Sequence, residues 1–373
     1  MKILPFTESK QVSIGMELEF QIIDPKTFGL ISRSKDLLQQ IKESRFKSHI
    51  TPEITQGMIE VNSSIHHSVK EMHKELLDLR DFILLNAKKI PINFCGGGAH
   101  PFHKWAKQKI FPSARYKNLS KKFRYLTKFA TVFGQHVHIG CKSGDDAIYL
   151  THALARYVPQ LIAMCASSPF YQENDTGYFS SRLNIFSAFP LTGVMPYLTS
   201  WEQFSEYFYK MRDLEVIQTM KDFYWDVRPK PEFGTVEIRV CDTPLTIKKA
   251  LTVTAYVQAL AFYLLEERPF LVCPDLYYLY NHNKFQASRY GFEGTIIEPA
   301  TSQAYLISED ITNTLKKIER YANQLDNMGY ISKLMDEVAN NQTDTKLLRK
   351  IYKETNSFAK VVEEQCKLLT ADA

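Results

Sequence analysis

Apolar and polar positions alternate strictly along residues 12–23, VSIGMELEFQII. Ile14, Met16, Leu18, Phe20 and Ile22 fall on one side, with Glu17, Glu19 and Gln21 on the other. That period of two predicts a strand with one buried face, ended by Asp24-Pro25. Three more stretches repeat the pattern. In 58–62, Ile59 and Val61 oppose Glu60 and Asn62. In 129–141, Val137 and Ile139 oppose His136 and His138. In 233–242, Val236, Ile238 and Val240 oppose Glu237, Arg239 and Cys241. A short strand at 92–95 runs into Gly96-Gly97-Gly98. Helical patterning lies between these strands. Residues 34–46 read as a helix. Ser68 to Glu71 forms a capping-box pattern, opening a helix with apolar positions at Met72, Leu76, Leu79 and Ile83 that runs to about Lys88. Asp145 or Asp146 starts another helix, which reaches about Tyr157 and is interrupted near Pro159. A long helix is predicted over 246–267. The tail, 308–369, reads as three helices with breaks at Gly329 and Asn340-Asn341. Residues 167–196, rich in Ser, Asn, Gly and Pro, are predicted to be a long ordered loop of the kind that often carries function.

Composition adds exclusions. The chain has 373 residues, 45% hydrophobic and 23% charged, which excludes wholesale disorder and leaves ample material for a core. A net charge of +5 is small for this length. No dense basic tract is present, so a nucleic-acid partner is not expected. The N-terminal MKILPFTESK lacks the apolar run of a signal peptide. The most apolar stretch, 250–265, is shorter than the ~20 residues a bilayer span needs, so no membrane partner is expected either. The six cysteines are scattered with no CxxC pair, which predicts buried free thiols in a cytoplasmic protein. No GK[ST] follows the glycine run, so a P-loop reading fails. There is no internal repeat and no low-complexity linker.

The polar faces carry the chemistry. Face-mates on a strand stand ~6.6–6.8 Å apart. If the strands form one antiparallel sheet, a single surface gathers Glu17, Glu19, Glu60, His136, His138, Glu237 and Arg239, with helices on the other. An isolated Glu-x-Glu is ordinarily a solvated face, and an isolated His-x-His a surface pair or an incomplete zinc motif. Massed together, carboxylates repel and resist desolvation unless a cation neutralises them. Oxygen ligands with one imidazole suit Mg²⁺ or Mn²⁺. Carboxylates on divalent ions that bridge phosphate oxygens, with arginines nearby, are the logic of phosphoryl transfer. Arg239 lies beside Glu237, Arg182 lies in the polar loop, and Arg228 precedes Pro229.

The blocks SIGMELEF, ITPEITQGMIEVNSS, GGGAHPF, FGQHVHIG, ASSPFYQENDTGYFSSR, YWDVRPKPEFGTVEIRVCDTP and NKFQASRYG, in this order over about residues 12–300, resemble the type 2 glutamate–cysteine ligase family and its bacterial carboxylate–amine ligase branch. The resemblance implies an α+β, glutamine-synthetase-like fold: a curved, mainly antiparallel sheet with helices on its convex face. Its concave face would hold ATP, magnesium and an amino acid. It implies metal ligands at Glu17, Glu19 and Glu60, with Glu53 as a further candidate. His136 or His138, and Glu237, would complete the metal set. Arg239 would act on the transferring phosphoryl group, and Arg182, Arg228 and Asn62 would contact ATP or substrate. Ala99 stands where the family commonly has Thr, a difference bearing on substrate shape.

The expectation is an ATP- and Mg²⁺-dependent ligase joining a carboxylate, by resemblance that of glutamate, to an amine such as cysteine or another amino acid, through an acyl phosphate. Residues 1–305 would form the catalytic domain. Residues 306–373 would be a helical segment packed on it, with packing or homodimerisation as its default role. Two alternatives share the same sheet: a guanidino-type kinase that stops at phosphorylation, and a non-catalytic nucleotide or metabolite binder.

Overall fold

The computed structural model describes residues 2–269 and 272–371. Its centre is a seven-stranded sheet built from β1 (Ile14–Ile23), β2 (Ile50–Pro52), β3 (Met58–Asn62), β4 (Asn93–Cys95), β5 (Gly134–Gly140), β6 (Val227–Lys230) and β7 (Thr235–Asp242). The order is β6-β7-β5-β1-β3-β2, with β4 paired to the far end of β1, and every pairing is antiparallel. The alternating residues of β1 explain its central place. Ile14, Met16, Leu18, Phe20 and Ile22 are buried in one core with Val61, Val137, Ile139, Val236 and Ile238. Burying such a side chain contributes on the order of 1.5–3 kcal/mol, and one face collects all of them.

Helices cover that face. The Ile247–Glu267 helix lies on β1 and β5 and is buried almost all round. Gln135, pointing through the core side of β5, donates to the Ala250 carbonyl (2.9 Å) and to Thr254 Oγ1 (3.1 Å). Its outer side is covered by Val69–Ala87, Ile307–Gln324 and Met328–Ala339, which form a further layer. Phe358–Ala371 returns to the sheet, where Val362 and Cys366 pack on Ile23 and Cys95. Gln365 there donates to the Gly96 carbonyl at 2.9 Å.

Several expectations are corrected. The tail holds four helices, because the segment after Asn341 forms Asp344–Thr355, capped by Thr343, before Phe358–Ala371. The first helix stops at Ile41, the last of its buried apolar positions. Ser68 caps its helix by accepting from Lys70 N rather than closing a full capping box with Glu71. The 145–157 helix starts at Gly144, capped by Ser143. The 129–141 stretch is a strand only from Gly134, since Tyr125–Phe129 is a helical turn. The 167–196 loop contains the short helix Arg182–Phe186 and two-residue ladders. Cys241 lies in the core, not beside Glu237. The β7–β5 register shifts between Ile238 and Cys241, so Arg239 and Val240 together oppose His136. A bulge of this kind adds one residue and reverses the alternation beyond it. Helices Ala114–Phe123, Trp201–Asp213 and Asp275–Tyr290 lie outside the segments that periodicity had marked.

Candidate active site

The register aligns the polar residues in rows across the sheet. Arg228 pairs with Glu237, and Glu237 with His138. One row along, His136 faces Glu17, and Glu17 faces Asn62. In the next, Glu19 faces Glu60, and Glu60 faces Thr51. Glu17, Glu19, Glu53, Glu60, His136, Glu237, Arg182, Arg228 and Arg239 all line one cleft of about 500 Å³. His138 and Asn62 stand at its margin, bonded to members of the set. Glu53 is on no strand of the acidic face. It enters from the turn between β2 and β3, its carboxylate accepting from Ile54 N at 2.9 Å.

Glu17 is the hub. Its Oε2 is 2.8 Å from His136 Nδ1, and its Oε1 is 3.2 Å from His138 Nε2. Burial works to raise its pKa, but the two imidazole hydrogen bonds overcome this and hold it well below the usual carboxylate range. An ionised Glu17 only accepts, so the proton of neutral His136 sits on Nδ1. Burial, with Arg239 nearby, lowers the His136 pKa to about 4 and keeps the ring neutral. Its Nε2 is therefore a buried lone pair; it has no hydrogen-bond partner among the described residues and lies 3.9 Å from Glu19 Oε1.

The remaining carboxylates divide into two groups. Glu237 is charged: burial opposes ionisation, but Arg228, Arg239 and other cations depress its pKa far more. Arg228 Nε donates to its Oε2 at 2.7 Å and Nη2 to its Oε1 at 3.3 Å, while Arg239 Nη1 donates to the same Oε1. Arg228 Nη1 is spent on the Phe223 carbonyl. Glu19, Glu53 and Glu60 crowd one another instead. Burial, opposed in part by Arg182, moves Glu19 up to about 7. Burial and the neighbouring Glu19 move Glu53 up to about 7. Burial with Glu17 and Glu53 pushes Glu60 well above its ordinary value, although Asn62 Nδ2 (3.1 Å) and Thr51 Oγ1 (3.0 Å) both donate to it.

Three overlapping trios have ligand atoms within 4.8 Å of one another: Glu17, His138 and Glu237; Glu17, Glu60 and His136; Glu19, Glu53 and Glu60. Hard oxygen donors with one imidazole lone pair, and carboxylates that burial and one another's charge make reluctant to ionise, fit Mg²⁺ or Mn²⁺. In the same cleft, Arg182 Nε and Arg239 Nε are buried donors with no partner among the described residues. Unfilled guanidinium donors beside a cation-ready cluster suit a phosphate chain.

Periodicity had missed part of the lining. Arg115 and Tyr116 come from the Ala114–Phe123 helix, and Lys221 and Tyr224 from the approach to β6. Phe186 and Phe189 stack at 5.6 Å in the polar loop. Tyr224 and Lys230 share the YWDVRPKPEFG block with Arg228, a signal that was available. The others sit on helices and loops that the strand pattern does not mark. Asp242 anchors one of these, accepting from Ser167 N (3.0 Å), Ser168 Oγ (2.7 Å) and Ser180 Oγ (2.9 Å), which seats Arg182 beside Gly134.

Residues 13–364 match the model of glutamate-cysteine ligase family 2 (GCS2). A protein of Legionella pneumophila (strain Paris) named "Putative glutamate--cysteine ligase 2-2" is 58% identical over 373 residues, spanning 100% of this chain and 97% of its own. One of Chromobacterium violaceum, named "Putative glutamate--cysteine ligase 2", is 44% identical over 363 residues, covering 97% of this chain and 96% of its own. Among solved structures, glutamate–cysteine ligase of Francisella tularensis in complex with AMP superposes with a TM-score of 0.74 at 12% identity, covering 98% of this chain and 90% of that one. A bifunctional glutathione synthetase from Pasteurella multocida gives 0.70 at 13%, covering 97% and 52%. These likenesses establish the mixed helix and antiparallel-sheet fold, and the sequence matches establish descent: the chain belongs to glutamate–cysteine ligase family 2 and is a ligase of the carboxylate–amine kind.

Proposed function

We propose that the chain is an ATP-dependent, Mg²⁺- or Mn²⁺-assisted ligase acting on the γ-carboxylate of glutamate, with cysteine or another amino acid as the amine. The observation that carries this is the pairing, in one cleft, of carboxylate trios able to hold cations with the unfilled Nε donors of Arg182 and Arg239. The printed names of the relatives supply the glutamate–cysteine pair. A carboxylate oxygen attacks the γ-phosphorus of ATP, the bond to the β–γ bridging oxygen breaks, and ADP leaves with its electron pair. The amine nitrogen then attacks the acyl carbon, phosphate departs, and a proton passes to solvent. The products are an amide, ADP and phosphate.

Bound divalent ions supply charge neutralisation between the anionic nucleophile and the triphosphate. Glu17, Glu19, Glu53 and Glu60, with His136 or His138 and Glu237, are the residues that would hold them. Arg239 stabilises the charge on the transferring group, and Arg182 contacts phosphate or the substrate carboxylate. Arg228 and Asn62 act through the carboxylates they bond, Glu237 and Glu60. No side-chain nucleophile is needed. Residues 1–305 are the catalytic domain on this reading and 306–373 a helical cover; the enzyme is cytoplasmic.

The test is ADP and phosphate release by purified protein with ATP, Mg²⁺, glutamate and an amine panel, leaving out each component in turn. Release requiring all four is expected. Glu17→Gln and Glu237→Gln should each lower it at least ~100-fold while the protein stays folded, because each removes a charge that other groups are arranged around. Wild-type turnover in either variant would refute the metal assignment. A phosphorylated product without amide or free phosphate would assign a kinase, and binding of ATP without turnover a sensor.

A further inference from the structure

Arg239 sits on the β7 bulge, where two residues oppose one on β5 and pairing on that side lapses. The direction of its side chain is therefore set from the other edge. Its backbone N–H donates to the Asp226 carbonyl at 2.8 Å, and its own carbonyl accepts from Arg182 Nη1 at 3.1 Å. The Asp226 peptide is held in turn: its N–H donates to the Gly193 carbonyl at 2.7 Å. Its side chain is buried, 4% exposed, and points away from the cleft into the Asp275–Tyr290 helix. There Oδ2 accepts from Tyr280 Oη at 2.7 Å and from Lys284 Nζ at 2.5 Å. A buried carboxylate oxygen held by both an ammonium and a phenol is restrained, and removing the ammonium leaves a costly unpaired charge. Only one peptide separates this lock from the guanidinium with the unfilled Nε.

We propose that Asp226, clamped by Lys284 and Tyr280, is a positioning residue that aims Arg239 at the transferring group by fixing the backbone on which the β7 bulge rests. This rests on the role given to Arg239 above. Asp226, Tyr280 and Lys284 are not among the residues lining the cleft, so loss of the clamp acts through the backbone that carries Arg239. Misplacing a catalytic group by about 1 Å costs on the order of 100-fold in rate.

The experiment uses the full chain labelled with ¹⁵N-arginine. The Arg239 Nε–H cross-peak is assigned by its disappearance in Arg239→Lys. In Asp226→Asn, which keeps an acceptor for Tyr280 but loses the ion pair, that cross-peak should shift or broaden. The kcat should fall about 10- to 100-fold, with KM for ATP changed less than about 3-fold. Lys284→Arg alone, which keeps the ion pair with Asp226, should leave both readouts near wild type. In the Arg239→Lys background, Asp226→Asn should add less than about 3-fold, since the residue it aims is gone. If Asp226→Asn does not fold, Lys284→Gln carries the same readouts. An unmoved cross-peak, or losses that multiply in the double variant, overturns the proposal. Equal turnover by wild type and Arg239→Lys overturns the functional reading of Arg239 instead, and the cross-peak still decides whether Asp226 sets its geometry.

Discussion

A methyl group at position 134 has almost no room. A Cβ there would stand 2.0 Å from Arg182 Nη2 and 2.7 Å from its Cζ, and Arg182 is itself buried. The Gly134 N–H also meets Glu19, so this one residue joins the acidic and basic sides of the cleft. Gly134→Ala should displace the guanidinium, lowering kcat/KM for ATP at least ~10-fold while costing only about 1–3 kcal/mol of stability, as overpacking usually does. Steady-state kinetics beside thermal melts checks this; unchanged kinetics would mean that Arg182 has no part in binding. The residue types at the cleft were legible one by one. Glu17 and Glu19 share a face by alternation alone, and so do His136 and His138. Which imidazole keeps a free nitrogen was not legible, because that depends on Glu17 accepting a hydrogen bond from the Nδ1–H of His136 while Thr235 engages the Nδ1 of His138.

At the scale of elements, the bulge in β7 is decisive. Strict alternation puts Cys241 in the cleft beside Arg239, whereas the shifted register buries it with the core and brings it against Cys165. Native protein should therefore react rapidly with a maleimide at a single thiol, half-buried Cys273. All six should react after denaturation, with no loss of ADP formation from the native labelling. Rapid, ATP-protected labelling of Cys241 would restore the unbulged register. Sequence patterning located β1, β3 and the 247–267 helix to within a residue or two, because the strands have one apolar face each, the helix is a continuous apolar run, and all three have sharp stops. It passed over Ala114–Phe123, Trp201–Asp213 and Asp275–Tyr290, where exposed aromatics and lysines blur the period.

For the molecule as a whole, cation binding should be a folding term. A ligand present at a hundred times its Kd adds about 2.7 kcal/mol to stability. Millimolar Mg²⁺ is expected to raise the melting temperature of wild type, EDTA to reverse the rise, and the Glu19→Gln/Glu60→Gln double variant to ignore both. A wild-type melt indifferent to Mg²⁺ would count against the site. Acid acts elsewhere. His152 ties the Gly144–Ala155 helix to two distant segments, through the Leu198 carbonyl at 2.7 Å and the Tyr277 hydroxyl. Burial lowers its pKa from 6.5 to about 4, so the unfolded chain takes up this proton first as pH falls. Its contribution is complete above about pH 6.5 and is lost on the way down to about pH 4, worth up to about 3 kcal/mol. The stability gap between wild type and His152→Gln should narrow over that interval, as urea melts at stepped pH would show. A gap constant with pH would mean the ring is not held neutral. Among the described residues, no helix is long and apolar enough to cross a membrane.

The chain's own order of residues settled which side of each strand is greasy and which is acidic, since a strand places neighbours on opposite faces whatever it pairs with. From that followed the apolar face of β1 and the acidic face on which Glu17 and Glu19 stand, while a separate apolar run marked the long buried helix after Thr246. Pairing partners, by contrast, lie up to 269 residues apart, as where Gln365 Nε2 meets the Gly96 carbonyl, and no local pattern carries that information. Tertiary structure alone decided that Glu19 faces Glu60, that Arg228 and Arg239 converge on Glu237, and that Asp226 turns away from the cleft to meet Lys284. Register, bulge and loop anchoring arise from contacts between segments distant in sequence, and in this protein those contacts set the distances on which its chemistry depends.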